Sequence, residues 1–147
     1  MSLSPNAQAI YNYLVNVVVP NKRVVTYGTV SQATNVPLGP PGQNPVVDAL
    51  YEIFGKCDER RLPPITSIVV QRDGQYDPTG RHGMPGGGYL VAEAESPNRV
   101  GRRRDPGYCD WEIVPRPPDT ETWRMREMIE AHQDSVWDYD APWPSAL

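Results

Sequence analysis

The chain has 147 residues, a formal net charge of −4, 39% apolar residues, 17 Pro and 12 Gly. That length and apolar share suffice for one ordinary core without a metal or disulfide to hold it, and the Pro and Gly content assigns much of the chain to loops. The charge excludes a whole-molecule field that attracts nucleic acid, and no apolar run approaches the roughly 20 residues of a membrane-spanning helix.

Ser4 followed by Pro5 reads as a helix N-cap with proline in the first helical position, where its missing N–H costs nothing. Ala7, Ile10, Tyr11, Leu14, Val17 and Val18 then recur at the spacing of one helical face, which predicts a helix over 5–19 stopped by Pro20. A short β-rich piece, Arg23 to Gly28, precedes two helical turns over 29–35, and the Pro- and Gly-rich run 37–42 forbids regular structure. Asn44-Pro45 repeats the cap signal and opens a second well-patterned helix over 44–58, carried by Val47, Leu50, Tyr51 and Phe54.

Ile65 to Val70 reads as a buried strand, with Asp73-Gly74 as a turn and residues 88–92 as its partner in a hairpin with 65–71. Trp111 to Val114 is a third strand, and Pro117-Pro118-Asp119 opens a last helix near 119–133, with Ile129, His132 and Val136 on one face. Residues 134–147 hold three Asp, two Trp, one Tyr and no base, and read as an acidic aromatic tail. The expected organisation is one domain over 1–133 followed by that tail. Its fold class is α+β: a winged-helix-like helical core, a small antiparallel sheet and a C-terminal helix.

Charge is unevenly spread. Residues 1–55 carry two bases and two acids, residues 56–104 nine bases against six acids, and residues 105–147 three bases against ten acids. Only the middle suits an anionic partner. Cys57 and Cys109 lie 52 residues apart in no metal or redox spacing; whether they pair is open at this point. The opening Met1-Ser2-Leu3-Ser4-Pro5 lacks the basic and apolar regions of a secretory leader, so the expected compartment is cytoplasmic.

Three segments carry a resemblance: Val25-Thr26-Tyr27-Gly28-Thr29-Val30, Asn44-Pro45 through Phe54, and Leu62-Pro63-Pro64-Ile65-Thr66-Ser67-Ile68-Val69-Val70. Their order from Val24 to Tyr89 resembles the winged-helix DNA-binding domain of alkylguanine DNA alkyltransferases and alkyltransferase-like proteins. The resemblance implies that the first segment enters a helix-turn-helix, the second is its recognition helix, and the third occupies the place of the reactive proline–cysteine–histidine–arginine segment. The reactive pair would fall near Pro64-Ile65, where no cysteine, histidine or tryptophan stands, and the family's base-replacing arginine near Asp48 or Ala49. Thiolate attack on an alkyl group needs an activated cysteine, so the expectation is a fold without that activity.

Among local motifs, the glycine-rich run 80–88 with Arg81 and His82 lets backbone N–H groups approach an anion, or else simply connects two strands. It is not a P-loop, because no Lys-Ser/Thr and no helix follow it. Arg72, Arg99, Arg102, Arg103 and Arg104 suit phosphate contacts, and Tyr27 offers a hydroxyl at the start of a helix. His82 and His132 share no motif that would make a metal site, and Asp73, Asp77 and Glu93 are explained by turn chemistry or isolation. No cofactor, metal or catalytic residue is expected.

The function expected is a non-enzymatic module that binds nucleic acid mainly through phosphates, by Tyr27, Arg72, Arg81, His82, Arg99, Arg102, Arg103 and Arg104. The alternative is a protein-interaction or inhibitor module of phage type, with Trp137, Tyr139 and Trp143 of the acidic tail as interface anchors. A small hydrolase or lyase working through His82 and Arg81 is the third and least supported reading.

Overall fold

The structure, a computed structural model, describes residues 3–40, 42–71, 85 and 129–147. Helix α1 spans Pro5–Tyr13, with the Ser4 hydroxyl accepting from the Ala7 N–H at 3.3 Å. It runs on as a π-helical turn, Leu14–Val18, closed by the Val19 N–H donating to the Leu14 carbonyl at 2.9 Å. The expected helix over 5–19 is therefore one helical rod with a widened last turn. Ala7, Ile10, Tyr11, Leu14 and Val18 form its buried stripe, while Val17 stays 46% exposed.

Strand β1 is Val25–Thr26, and helix α2 follows at once as Tyr27–Thr34. The Thr26 hydroxyl accepts from the Thr29 N–H at 3.2 Å, which starts α2 two residues before the expected Thr29. Asn35 ends it in the left-handed conformation, at φ 60° and ψ 20°, a role that asparagine tolerates well. In the loop to the next helix, the Ser31 hydroxyl donates to the Val36 carbonyl at 2.6 Å and Val36 is buried. A Cβ on Gly39 would collide with the Gln43 carbonyl oxygen, so this close approach requires glycine.

Helix α3, Pro45–Glu59, is capped by the Asn44 side chain, which accepts from the Val47 N–H at 3.3 Å. Val46, Ala49, Leu50, Ile53, Phe54 and Cys57 make its buried stripe, and α1 packs along it while also touching α2. Sequence expectation and structure agree here on the helix and its start, but the buried face is rotated: Leu50 and Phe54 are buried as expected, whereas Tyr51 is exposed and Val47 only half-buried, and Val46, Ala49 and Ile53 take their place.

Two expectations are corrected. Residues 65–70 are not one strand: Ile65–Ile68 form a 3-10 turn, with the Ser67 N–H donating to the Pro64 carbonyl at 2.9 Å, and only Val69–Val70 are strand β2. The sheet of the described residues is also parallel rather than antiparallel, with Val25 opposite Val69 and Thr26 opposite Val70. The physical reason is the connection. β1 and β2 are joined through α2 and α3, and a helical crossover returns the second strand in the same direction as the first, where a hairpin turn would reverse it. Residues 88–92, the hairpin partner expected from the sequence, and 111–114, the third strand, lie outside the described residues.

Residues 129–137 are helical, here α4. Ile129, His132, Gln133, Val136 and Trp137 are buried on its inward face, so His132 sits on the apolar side expected of it. Gln133 donates its Nε2 to the Ser67 carbonyl at 2.9 Å and ties α4 to the 3-10 turn. The chain then folds back over α1 and α3. Tyr11 donates its hydroxyl to the Pro144 carbonyl at 2.6 Å, Gln8 its Nε2 to the Ser145 carbonyl at 3.1 Å, and Arg60 a guanidinium N–H to the Ala146 carbonyl at 2.8 Å. Leu147 and Trp137 join the core cluster, and Trp143 packs against it. The acidic aromatic tail expected at 134–147 thus starts as the last turn of α4 and is docked on its own chain.

Candidate nucleic-acid interface

Of the residues expected to contact nucleic acid, Tyr27 is the one that the structure describes. Arg72, Arg81, His82, Arg99, Arg102, Arg103 and Arg104 lie outside the described residues. Tyr27 opens α2 half-buried, its ring packed against the core cluster. Its position follows from the Thr26 cap, whose hydroxyl also donates to the Thr29 hydroxyl at 3.0 Å. Gly28 follows with open space where a Cβ would stand, so nothing crowds the start of this helix.

The outward face of α3 carries Asp48, Tyr51 and Gly55, all exposed, and Tyr51 is 44% accessible. Asp48 lies in the first turn, where a carboxylate is favoured by the helix dipole. Glu52 is engaged inward. Its two carboxylate oxygens accept from the Ser4 N–H at 2.6 Å and the Ser4 hydroxyl at 2.8 Å, which clamps the start of α1 onto the middle of α3. The sequence presents Asp48 and Glu52 as equal obstacles to an anionic ligand; the structure leaves Asp48 as the outward one and gives Glu52 a structural task.

Exposed bases among the described residues stand at the two ends of this unit: Lys22 and Arg23 before β1, and Arg60 and Arg61 after α3. Arg60 is held by the Ala146 carbonyl. Lys56 lies 3.7 Å from Glu59, an exposed ion pair worth little. β2 ends at Val70, and Gln71 is exposed, so the chain reaches solvent at the point where the arginine-bearing segment starts.

The segment that resembles the alkyltransferases' reactive stretch is buried. Thr66 and Ser67 are 5% and 0% exposed, and neither hydroxyl has a hydrogen-bond partner among the described residues. Two adjacent buried hydroxyls without partners are unusual. They are a feature that sequence reading passed over, although two polar residues inside an otherwise apolar run were its visible sign. A hydroxyl becomes a nucleophile only beside a base, and Cys57, the buried thiol of α3, is enclosed on another element. Among the described residues no group of three His, Cys, Asp or Glu side chains is placed to hold a metal ion.

Burial pushes the Tyr11 phenol up from 10.0 to about 12, with Cys57 adding to the effect. The neutral phenol is the form that donates to Pro144. Among the described residues no helix is long and apolar enough to cross a membrane.

Comparison of the chain with protein-family models, curated proteins and solved structures gives no match.

Proposed function

We propose that the chain is a non-enzymatic module of winged-helix type that holds nucleic acid mainly through its phosphates. The observation that carries this reading is the arrangement of α1, β1, α2, α3 and β2. A tri-helical unit with a strand pair delivers the chain at exposed Gln71 directly into the segment bearing Arg72, Arg81, Arg99, Arg102, Arg103 and Arg104. Those guanidinium groups, with His82 and the backbone of the glycine-rich run, supply the phosphate contacts, and Tyr27 supplies a hydroxyl at the start of α2. Because α3 turns Asp48 outward, insertion of this helix against a phosphate-lined groove is disfavoured, and contact runs through the arginine segment.

Little base preference follows, since α3 presents no Arg, Asn or Gln set able to read base edges. The module works in the cytoplasm on this reading. A fluorescence-anisotropy titration against labelled duplexes of unrelated sequence tests it: binding within a few-fold for all duplexes at low salt supports the reading, and no binding at low salt ends it.

A protein-interaction module is the second reading, favoured by one observation. α3 places a large exposed aromatic, Tyr51, beside the exposed carboxylate of Asp48, and tyrosine is a common interface anchor. Trp137, expected as an anchor, is only 5% exposed, so on this reading the contact moves from residues 137–143 to α3.

A further inference from the structure

We infer that residues 138–147 are an openable strap, and that the groove between α1 and α3 beneath it is a peptide-docking site whose occupant is this segment of the chain itself. Three features of the contact lead there. Pro144, Ser145 and Ala146 offer three consecutive main-chain carbonyls, and each is taken by a side chain of the groove: Tyr11 at 2.6 Å, Gln8 at 3.1 Å and Arg60 at 2.8 Å. Reading successive backbone groups while pocketing an apolar side chain is how grooves hold extended peptides. The pocketed side chain here is Leu147, 9% exposed.

The strap is weakly held along the rest of its length. Asp138, Asp140, Ala141 and Pro142 are exposed, and among the described residues no regular structure binds them to a neighbour. Segments with few buried contacts open locally, without global unfolding. Trp143 packs edge-on to Tyr139, with ring centroids 4.9 Å apart, yet its indole N–H is buried with no acceptor among the described residues. Water satisfies that donor when the strap lifts, so the docked state carries a built-in penalty. The segment leaves from the end of α4, which is anchored by buried Val136 and Trp137, so opening pivots at Asp138 and leaves α4 in place.

The test uses the full chain and a fluorescein-labelled peptide with the sequence of residues 138–147. In the wild type the tethered strap competes at an effective concentration of about millimolar, so added peptide binds poorly. Leu147→Ala weakens the strap and leaves the groove intact, and it is expected to bind the peptide at least about ten-fold more tightly than the wild type. Adding Tyr11→Phe and Arg60→Gln to Leu147→Ala should take that gain away, whereas Trp143→Phe alone should reduce peptide binding below the wild-type level. Equal binding by wild type and Leu147→Ala, no binding by either, or a gain that survives the groove substitutions overturns the proposal. Loss of the fold in Leu147→Ala, seen by circular dichroism, overturns it too, because releasing the segment then unfolds the chain instead of opening it locally.

Discussion

Tyr11→Phe is a substitution whose effect should change sign with pH. The phenol is 1% exposed and donates to the Pro144 carbonyl at 2.6 Å. At pH 7 the variant loses that bond, which is worth about 1 kcal/mol net. Pro144 is only half-buried, so water can reach the abandoned carbonyl and the full penalty of an orphaned buried acceptor does not apply. The packing of the ring is retained. At alkaline pH the balance turns. Burial raises the phenol from 10.0 to about 12 in the folded chain, so the unfolded state gives up its proton first. The stability contributed by the neutral phenol is complete below pH 10 and is lost as pH rises towards 12, at about 1.4 kcal/mol per pH unit. Phenylalanine has no such loss. Urea unfolding of both proteins across pH 7 to 12 should show the variant weaker by about 1 kcal/mol at neutrality, equal to the wild type at about pH 11, and stronger beyond it. A difference that stays constant with pH would refute the burial argument, and a variant already more stable at pH 7 would refute the hydrogen bond.

Ser67→Ala removes a hydroxyl that is 0% exposed and without a partner among the described residues, so thermal unfolding should show it neutral or stabilised by about 1 kcal/mol; a loss of similar size would mean that the hydroxyl has a partner. Glu52→Gln keeps the volume but surrenders one of two acceptors clamped on Ser4, and should cost about 1 kcal/mol at low salt and less in 1 M salt, as a screened charge-assisted bond requires. Incubation with alkylated DNA followed by mass measurement should leave the protein unmodified, because Cys57 is sealed in the core, and stoichiometric labelling of Cys57 or Cys109 would contradict this.

How far the sequence could be read depended on whether local signals acted alone. α1 and α3 each pair a side-chain cap and a following proline with an amphipathic period, and both were legible to within a residue or two at their starts. α2 began earlier than expected because Thr26, not a residue nearer Thr29, does the capping. Ile65 to Val70 misled because every residue in the run is buried, and a run without exposed positions has no period to separate a strand from a 3-10 turn. The pairing of β1 with β2 was hidden for a different reason. It joins residues more than 40 positions apart across two helices, and only the tertiary packing of α1, α2 and α3 brings them together. The clamp of Glu52 on Ser4 and the docking of residues 144–146 have no sequence signature, since they depend on which faces the helices turn towards one another.

Phosphate binding by the arginine segment is tested most directly by a salt-series titration of duplex DNA with the wild type and with Arg102→Ala/Arg103→Ala/Arg104→Ala. Each phosphate contact releases counterions, giving about 0.9 log unit of affinity per log unit of salt. Wild-type binding should weaken steeply with salt, and the variant should bind more weakly with a slope flatter by about three contacts. Equal affinities and slopes for the two proteins, or no binding by the wild type at low salt, would contradict binding through this segment.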